Sequence, residues 1–286
     1  GPERFAGQSI SLNVDGSVIA LGVPATEAGG SLFWEGSWRP AADALPDTNK
    51  TQERLANHSG YVHVYEWNLA STMWELRGAP LGSMLDARQQ QLSSSVSTGQ
   101  AVSLSWDGNT VAYGEPFHSS EAQSRVGAVH VAVWDGSAWW PKGERMLGET
   151  QCRNAGSLVS LSGSGSVVAF GGGGCVVTYS FSTPLGLWQK RGGQLVNTSH
   201  PTYDGAGRYS LTLSRDGGTL AYLVPHNQLT DAGGGNWSSP GAVRIFSWAD
   251  QTWKKKGEII GKEANGTLPR GTKLNRGLCL FTVSAL

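Results

Sequence analysis

The chain has 286 residues, including 40 glycines and 12 tryptophans, and its 22 basic and 22 acidic side chains give a formal net charge of zero. A balanced charge offers no electrostatic basis for binding nucleic acid or an anionic membrane. No apolar run reaches membrane-spanning length and no signal peptide is recognisable, so we expect a soluble, turn-rich β protein that begins inside the mature sequence.

The first predicted element is a β-hairpin whose sequence recurs three more times. The copies begin at Gly7, Gly99, Gly156 and Arg208 and are GQSISLNVDGSVIALGVP, GQAVSLSWDGNTVAYGEP, GSLVSLSGSGSVVAFGGG and RYSLTLSRDGGTLAYLVP. In each copy alternating apolar residues flank a short turn of Asp, Asn, Ser or Gly, which is the strongest short-range hairpin signal. Each copy therefore predicts two paired strands, with the turn at Gly16, Gly108, Gly165 or Gly217.

A second predicted hairpin follows each first one after a gap of variable length. Its copies are GYVHVYEWNLASTMWELRG from Gly60, GAVHVAVWDGSAWWPKG from Gly127, GGCVVTYSFSTPLGLWQKRG from Gly173 and GAVRIFSWADQTWKKKG from Gly241. Aromatic residues flank the turn in every copy: Trp67 and Trp74, Trp134 and Trp139, Phe181 and Trp188, Trp248 and Trp253. We interpret them as stabilising cross-strand pairs. The alternative, stacking on a sugar, needs exposed rings at a loop face.

Two hairpins per unit predict a four-stranded antiparallel sheet, and repeated sheets of this kind predict an all-β β-propeller. The expected units are residues 5–90, 97–150, 152–200 and 205–268, with a partial unit at 270–286. The last of these contains GLCLFTVSAL, which resembles another first strand. It either closes the propeller in an unusual way or belongs to a larger propeller of up to seven blades. Residues 83–99 are predicted to form a loop with one helical turn. A solvated strand edge is predicted at Lys254, Lys255 and Lys256.

The strand order places both classes of variable loop on one face. The gap loops are residues 25–59, 115–126, 171–174 and 225–240, and the exit loops are about 80–98, 148–155, 193–206 and 261–274. Loops on a rigid scaffold carry most binding groups, so the candidate binding residues are Trp34, Trp38, Arg39, His118 and Trp237. For the longest loop, packing of Trp34 and Trp38 against their own blade is the favoured alternative. His63 and His130 occupy equivalent strand positions and are predicted to be structural.

Two further features indicate a secreted or cell-surface protein. Five glycosylation acceptor sequences occur, at Asn49, Asn57, Asn197, Asn236 and Asn265, and all five fall in the predicted variable loops. Cys152 precedes the first strand of the third unit and Cys175 follows its second strand. Antiparallel pairing brings these ends together, so a disulfide is expected. Cys279 is either a buried thiol or pairs outside this sequence.

Catalytic motifs are missing from the sequence. It contains no Gly-x-Ser-x-Gly, His-Glu-x-x-His or paired Cys-x-x-Cys, and the glycine run at 171–174 opens no helix that could bind phosphate. Missing motifs do not exclude an enzyme, because active sites assemble in space. The favoured hypothesis is a non-enzymatic module for recognition, adhesion or assembly that binds protein or glycan at the variable-loop face. The alternative is a glycan-binding or glycan-processing, sialidase-like propeller, which would need carboxylates and arginines around the central channel.

The segment RFAGQSISLNVDGSVIALGVP, followed by GYVHVYEW, resembles the FG-GAP type of repeat found in the N-terminal propellers of integrin α-chains. Phe5, Gly7, Ser9, Asp15, Gly16 and the ending Gly22-Val23-Pro24 match the family motif, and later copies match it less well. The resemblance implies an extracellular propeller used for adhesion or recognition. The resemblance also implies that a blade could bind calcium, because some members of the family carry a DxDxDG-type loop. The segment Asn13-Val14-Asp15-Gly16 supplies too few carboxylates for such a loop. We therefore predict no bound calcium and no cofactor.

Overall fold

The fold is a series of four β-sheets, here called blades 1 to 4. The computed structural model describes residues 8–24, 60–82, 97–120, 124–149, 152–172, 175–196, 210–224 and 242–260. Every regular element in these ranges is a strand, as the hairpin sequences predict. No helix in the described part of the chain is long and apolar enough to cross a membrane.

The strands follow the repeat. Blade 1 contains β1 (Ser9–Leu12), β2 (Val18–Val23), β3 (Tyr61–Asn68), β4 (Met73–Leu76) and β5 (Leu81–Gly82). Blade 2 contains β6 (Val102–Leu104), β7 (Thr110–Glu115), β8 (Ala128–Trp134), β9 (Trp139–Pro141) and β10 (Met146–Leu147). Blade 3 contains β11 (Leu158–Leu161), β12 (Val167–Gly172), β13 (Cys175–Ser182), β14 (Leu187–Lys190) and β15 (Leu195–Val196), and blade 4 contains β16 (Leu211–Leu213), β17 (Thr219–Val224), β18 (Ala242–Ala249) and β19 (Thr252–Ile260).

Each blade is an antiparallel sheet whose strands lie side by side in chain order. In blades 1 to 3 the fourth strand is interrupted, because two separate strands pair with the third one, for example β4 and β5 with β3. The exit loops predicted from residues 80 and 193 therefore begin with the short strands β5 and β15, which is a correction to those two boundaries. In blade 4 the single strand β19 occupies both places, and its three lysines are exposed as expected.

The predicted hairpin turns form at the expected glycines. Gly16, Gly108, Gly165 and Gly217 have φ values of 74°, 72°, 65° and 68°, which few other residues adopt without strain. A side chain before each turn accepts the backbone N–H five residues later. The pairs are Asn13 with Val18, Ser105 with Thr110, Ser162 with Val167 and Ser214 with Thr219, at 2.8–3.0 Å.

Consecutive blades pack face to face, and we call the face toward the preceding blade the leading face and the other the trailing face. The trailing face of blade 1, with Val18, Ala20, Val62 and Val64, shares one apolar cluster with the leading face of blade 2. Two similar clusters join blade 2 to blade 3 and blade 3 to blade 4. The core of the molecule therefore lies between the sheets, as in a propeller.

Serine side chains join the first strands of neighbouring blades. The hydroxyl oxygen of Ser11 accepts the N–H of Leu104, that of Ser103 accepts the N–H of Leu161, and that of Ser160 accepts the N–H of Leu213, each at 2.9 Å. The three serines are equivalent in the repeat, and so are the three leucines. One short side chain per blade thus sets the spacing between sheets.

Candidate functional site

One position of the repeat carries a buried charge in blade 2 and an uncharged residue elsewhere. Glu115 is the last residue of β7, at the place of Val23, Gly172 and Val224 in the other blades. Its side chain is only 7% exposed. A carboxylate with so little access to water needs hydrogen bonds or opposite charges around it. The neighbours of Glu115 therefore define the first candidate site.

Three chain segments meet at this carboxylate. Thr98, which precedes blade 2, donates its hydroxyl to Glu115 Oε1 at 2.9 Å. His118, from the loop after β7, places Nδ1 3.6 Å from Oε2, and His130 of β8 places Nε2 3.1 Å from the same oxygen. The His130 contact is close but poorly directed, so its buried Nε2 makes no hydrogen bond. The ring of His130 stacks on Tyr113 with centroids 5.2 Å apart.

The surroundings lower the pKa of both Glu115 and His118. Burial raises the pKa of Glu115, but His130, Thr98 and His118 together lower that pKa below its ordinary value. The pKa of His118 is also lowered, mainly by burial and further by Arg145 and His130, while Glu115 opposes the change. A neutral imidazole beside a carboxylate can accept a proton or orient a bound group. Among the described residues no group of three or more His, Cys, Asp or Glu is arranged to hold a metal ion.

A second recurring feature lies at the outer part of each seam between blades. A basic residue and the glycine after it, at the end of one blade's interrupted fourth strand, contact the aromatic pair of the next blade. We call this segment the basic-Gly turn. The contacts are Arg77 with Trp134 and Trp139 at 5.1 and 5.9 Å, Lys142 with Phe181 at 5.2 Å, and Arg191 with Trp248 and Trp253 at 4.5 and 5.5 Å. These are cation–π distances.

The backbone of the basic-Gly turn is also bound by the next blade. The indole N–H groups of Trp139 and Trp188 donate to the carbonyl oxygens of Arg77 and Lys142, both at 2.6 Å. In blade 4 the indole of Trp253 donates to the hydroxyl of Thr178, which donates in turn to the carbonyl of Arg191.

Only glycine fits the second position of this turn. Gly78, Gly143 and Gly192 have φ values of 82°, 75° and 75°, and a Cβ atom there would lie 2.7–3.0 Å from a tryptophan ring.

The aromatic pair of blade 1 has no such partner. Trp67 and Trp74 make the predicted edge-on contact, with centroids 5.5 Å apart, but no described cation lies over them. Two aliphatic side chains of the same face are exposed as well. Ile10 and Leu12 are 56% and 54% exposed, whereas the equivalent Val102 and Leu104 of blade 2 are 8% and 7% exposed. The leading face of blade 1 is the second candidate site.

The structure brings some of the predicted site residues together. The Cys152–Cys175 disulfide forms, with Cα atoms 5.4 Å apart, and it is typical of proteins from oxidising compartments. His118 lies in its predicted loop, beside Glu115. The other predicted residues lie outside the described ranges: Trp34, Trp38, Arg39, Trp237, Cys279 and the acceptors Asn49, Asn57, Asn197, Asn236 and Asn265.

Glu115 was not predicted as a site residue, and His130 was predicted to be structural. The signal was present in the repeat, since the Glu of Gly114-Glu115-Pro116 stands where the other copies have valine or glycine. The basic-Gly turn was not predicted either, although a basic residue followed by glycine ends all four copies of the second hairpin: Arg77-Gly78, Lys142-Gly143, Arg191-Gly192 and Lys256-Gly257.

The similarity of this chain to known proteins is a similarity of fold. No protein-family model and no curated protein sequence matches the chain. Among solved structures, a periplasmic gluconolactonase of Pseudomonas aeruginosa is 13% identical with a TM-score of 0.49, covering 93% of this chain and 61% of that one. The β-propeller domain of the Trilobed protease from Pyrococcus furiosus is 11% identical with a TM-score of 0.42, covering 88% and 57%. The chain thus spans little more than half the length of these two structures.

The matched structures bear on two predictions, the absence of enzyme activity and the FG-GAP resemblance. The prediction that the chain is not an enzyme is corrected in its premise, because the solved propellers that its fold resembles include enzymes: the gluconolactonase and a candidate 6-phosphogluconolactonase of Bacteroides uniformis, 12% identical with a TM-score of 0.42 over 93% of this chain and 76% of that one. The architecture therefore gives no ground for excluding catalysis. The propeller part of the FG-GAP resemblance is confirmed, while the structures named here do not point to integrin-like repeats. What is established is an all-β chain of propeller blades.

Proposed function

We propose that this chain is an extracellular recognition and assembly module that binds another protein through the leading face of blade 1. One observation carries the proposal: four large apolar side chains of this face are exposed, namely Ile10 at 56%, Leu12 at 54%, Trp67 at 37% and Trp74 at 42%. The proposal keeps the adhesion or assembly role suggested by the FG-GAP resemblance, and moves its binding surface from the variable loops to a sheet.

The strand registers show how far the surface extends. Ile10 pairs with Leu21, and Leu12 pairs with Ile19. Ile19 pairs in turn with Tyr65, and Tyr65 with Leu76. Paired residues of an antiparallel sheet lie on the same face. The apolar side chains therefore run across the whole sheet from β1 to β4, and Trp67 and Trp74 mark the outer end.

Open apolar surfaces of this extent mark binding sites in soluble proteins. At this position in blades 2 and 3, another sheet covers the equivalent residues, and Val102, Leu104, Val159 and Leu161 are at most 9% exposed. A protein partner would bury the face of blade 1 in the same way. The disulfide supports a secretory location, which is part of the proposal.

A pair of equivalent substitutions tests whether the face is free. Leu12→Asp places a charge on the leading face of blade 1, and Leu104→Asp places one at the same position of blade 2. We expect Leu12→Asp to leave the free energy of unfolding of the isolated chain nearly unchanged and Leu104→Asp to prevent folding, because an unpaired charge would be buried. Equal destabilisation by both variants would show that the face is covered within the chain and would refute the proposal.

A second function, glycan processing, is favoured by one observation, the buried carboxylate of Glu115 with His118 Nδ1 3.6 Å from its Oε2. A carboxylate and an imidazole in contact are suited to general acid–base chemistry. The test is a panel of chromogenic glycosides assayed with the wild type, Glu115→Gln and the exposed control Glu66→Gln. Hydrolysis that is lost only in Glu115→Gln supports this function, and hydrolysis that survives in that variant excludes Glu115 from it.

A further inference from the structure

We infer that Trp140 and Asp135 of blade 2 form a binding site for one sugar residue of a neutral glycan, with the indole ring as the stacking surface and the carboxylate as a hydrogen-bond acceptor. The site lies beside the turn between β8 and β9. Trp140 is in the same row of paired residues as Thr110, the first residue of β7, whereas Glu115 is the last residue of that strand. The site is therefore at the opposite end of blade 2 from Glu115, and the inference does not depend on the proposed function.

The first observation is a departure from the repeat. Trp140 of β9 pairs with Val133 of β8, and the equivalent pairs of the other blades are polar: Glu66 with Glu75, Ser180 with Gln189, and Ser247 with Lys254. Trp140 is 57% exposed and Val133 is half-buried. The other three blades form the same hairpin without an aromatic ring at this place, so the fold of a blade does not require one.

The second observation is that the exposed ring is held in a fixed orientation. The indole Nε1–H of Trp140 donates to Asp135 Oδ2 at 2.7 Å. The carboxylate is fixed in turn, because its Oδ1 accepts the backbone N–H groups of Ser137 and Ala138, both at 2.8 Å, and the Ser137 hydroxyl at 2.9 Å. A ring that is already held in place loses little further freedom when a ligand binds to its face, which favours affinity.

The chemistry of the two groups matches that of a sugar. The face of an aromatic ring carries partial negative charge, which attracts the weakly positive C–H groups on the apolar side of a hexose. Within the described ranges Asp135 Oδ2 accepts only the indole of Trp140, and a carboxylate oxygen can accept a second hydrogen bond. Because Nε1 is on the edge of the indole, this oxygen is beside the ring, within reach of a hydroxyl of the stacked sugar.

The surroundings of Trp140 distinguish a neutral glycan from other ligands. Hydrogen bonds from Ala138, Ser137 and Trp140 lower the pKa of Asp135 to about 2, so its charge at neutral pH repels an acidic sugar. Trp140 is the one exposed large apolar side chain among the described residues of β8 and β9. A stable protein interface covers about 800 Å² on each partner, whereas a single hexose needs only one ring.

The experiment observes the indole Nε1–H resonance of Trp140 by NMR, assigned through its loss in Trp140→Phe. The wild type is titrated with neutral oligosaccharides of glucose, mannose, galactose and N-acetylglucosamine, and with an oligogalacturonate as the acidic comparison. A site built on one ring and one acceptor implies a dissociation constant on the order of 1 mM. We expect a saturable shift with at least one neutral oligosaccharide and a smaller response to the oligogalacturonate.

Variants then show which groups bind the sugar, with transfer of saturation from protein to sugar as the measurement. Trp140→Ala should weaken binding at least about tenfold, and Trp140→Phe, which keeps a smaller ring, should weaken it less. Asp135→Asn should weaken binding of the neutral sugar and reduce the discrimination against the acidic one. Gln189→Ala, at the equivalent position of blade 3, is the control and should leave binding unchanged. Thermal unfolding verifies that each variant is folded, and the phenylalanine and asparagine variants decide the question if Trp140→Ala does not fold.

Several results would overturn the inference. These are an indole resonance that no neutral oligosaccharide shifts, binding that is as tight in Trp140→Ala or in both other site variants as in the wild type, and an equal loss in Gln189→Ala. An equal or stronger response to the oligogalacturonate would also contradict a site for neutral glycans. A Trp140 resonance that shifts only with protein concentration would assign the ring to a contact between proteins instead.

Discussion

The indole N–H of Trp139 in blade 2 donates a hydrogen bond of 2.6 Å to the carbonyl oxygen of Arg77 in blade 1. The two residues are 62 positions apart, and the guanidinium of Arg77 also lies over the rings of Trp134 and Trp139. One tryptophan therefore serves two structures at once, the hairpin within its own blade and the seam to the preceding blade.

Replacing Trp139 by phenylalanine should destabilise the protein through this bond. The carbonyl of Arg77 would lose its partner in a seam where Trp139 is 7% exposed, and an unsatisfied buried acceptor costs about 1–3 kcal/mol. Trp74→Phe is the matched control, since Trp74 occupies the same position in blade 1 and its indole has no acceptor within the described ranges. Chemical denaturation should show the loss in the first variant alone, and equal losses in both would contradict this role of the seam.

The serine bonds give a second prediction. Ser103→Ala removes the acceptor of the N–H of Leu161 between blades 2 and 3, and we expect a loss of about 1–2 kcal/mol in the free energy of unfolding. Thr212→Ala changes the equivalent residue of blade 4, which accepts no such N–H, and should have a smaller effect. Amide hydrogen exchange at Leu161 provides a local measurement. Unchanged protection there in Ser103→Ala would show that the bond does not hold the strands.

The lowered pKa of Asp135 predicts that the stability of the fold decreases in acid. Backbone N–H groups of Ala138 and Ser137, the Ser137 hydroxyl and the Trp140 indole lower its pKa to about 2. Because this pKa lies below that of the unfolded chain, about 3.9, the ionised carboxylate stabilises the fold above pH 4 or so and ceases to do so as the pH falls through about 2. Asp135→Ala should therefore lower the unfolding midpoint at neutral pH and match the wild type in strong acid. A carboxyl carbon titration of Asp135 with an ordinary midpoint would rule this out.

The lowered pKa of His118 predicts a change in stability at a pH nearer to neutral. Its folded pKa is lowered, mainly by burial, so the unfolded chain takes up a proton first as the pH falls below about 6.5. Stability should therefore decrease from that pH down to the lowered folded pKa and then level off. His118→Asn should abolish the decrease in urea midpoints measured between about pH 8 and pH 5. The charged and titratable groups around it are Glu115, His130 and Arg145, and an unchanged slope in the variant would assign the effect to one of these.

The sequence predicts the contacts between residues that are close along the chain or lie on one sheet. The hairpin turns, the aromatic pairs and the Cys152–Cys175 bridge depend on residues that are close along the chain or on one sheet, and all of them form as expected. Period-two alternation fixes which side chains share a face, and glycine fixes the turns.

Contacts between blades join residues that are far apart in the sequence, and they were not predicted. Ser103 and Leu161 are 58 positions apart, and Arg77 and Trp139 are 62 apart, so no short-range pattern marks them. The same holds for Glu115, whose significance depends on His118, Thr98 and His130 converging from three segments. The interruption of the fourth strand in blades 1 to 3 has a similar cause, since the basic-Gly turn forms only against the next blade.

The disulfide has a mechanical consequence. Cys152 and Cys175 are 23 positions apart and enclose β11, β12 and the turn between them. Tension applied along the chain passes through the sulfur–sulfur bond, so the enclosed hairpin carries no load while the strands on either side are pulled out. The fully stretched polypeptide should therefore be roughly 80 Å shorter under oxidising conditions than after reduction, at about 3.4 Å per residue. The segment with β11 and β12 would remain a closed loop in a chain that is otherwise extended.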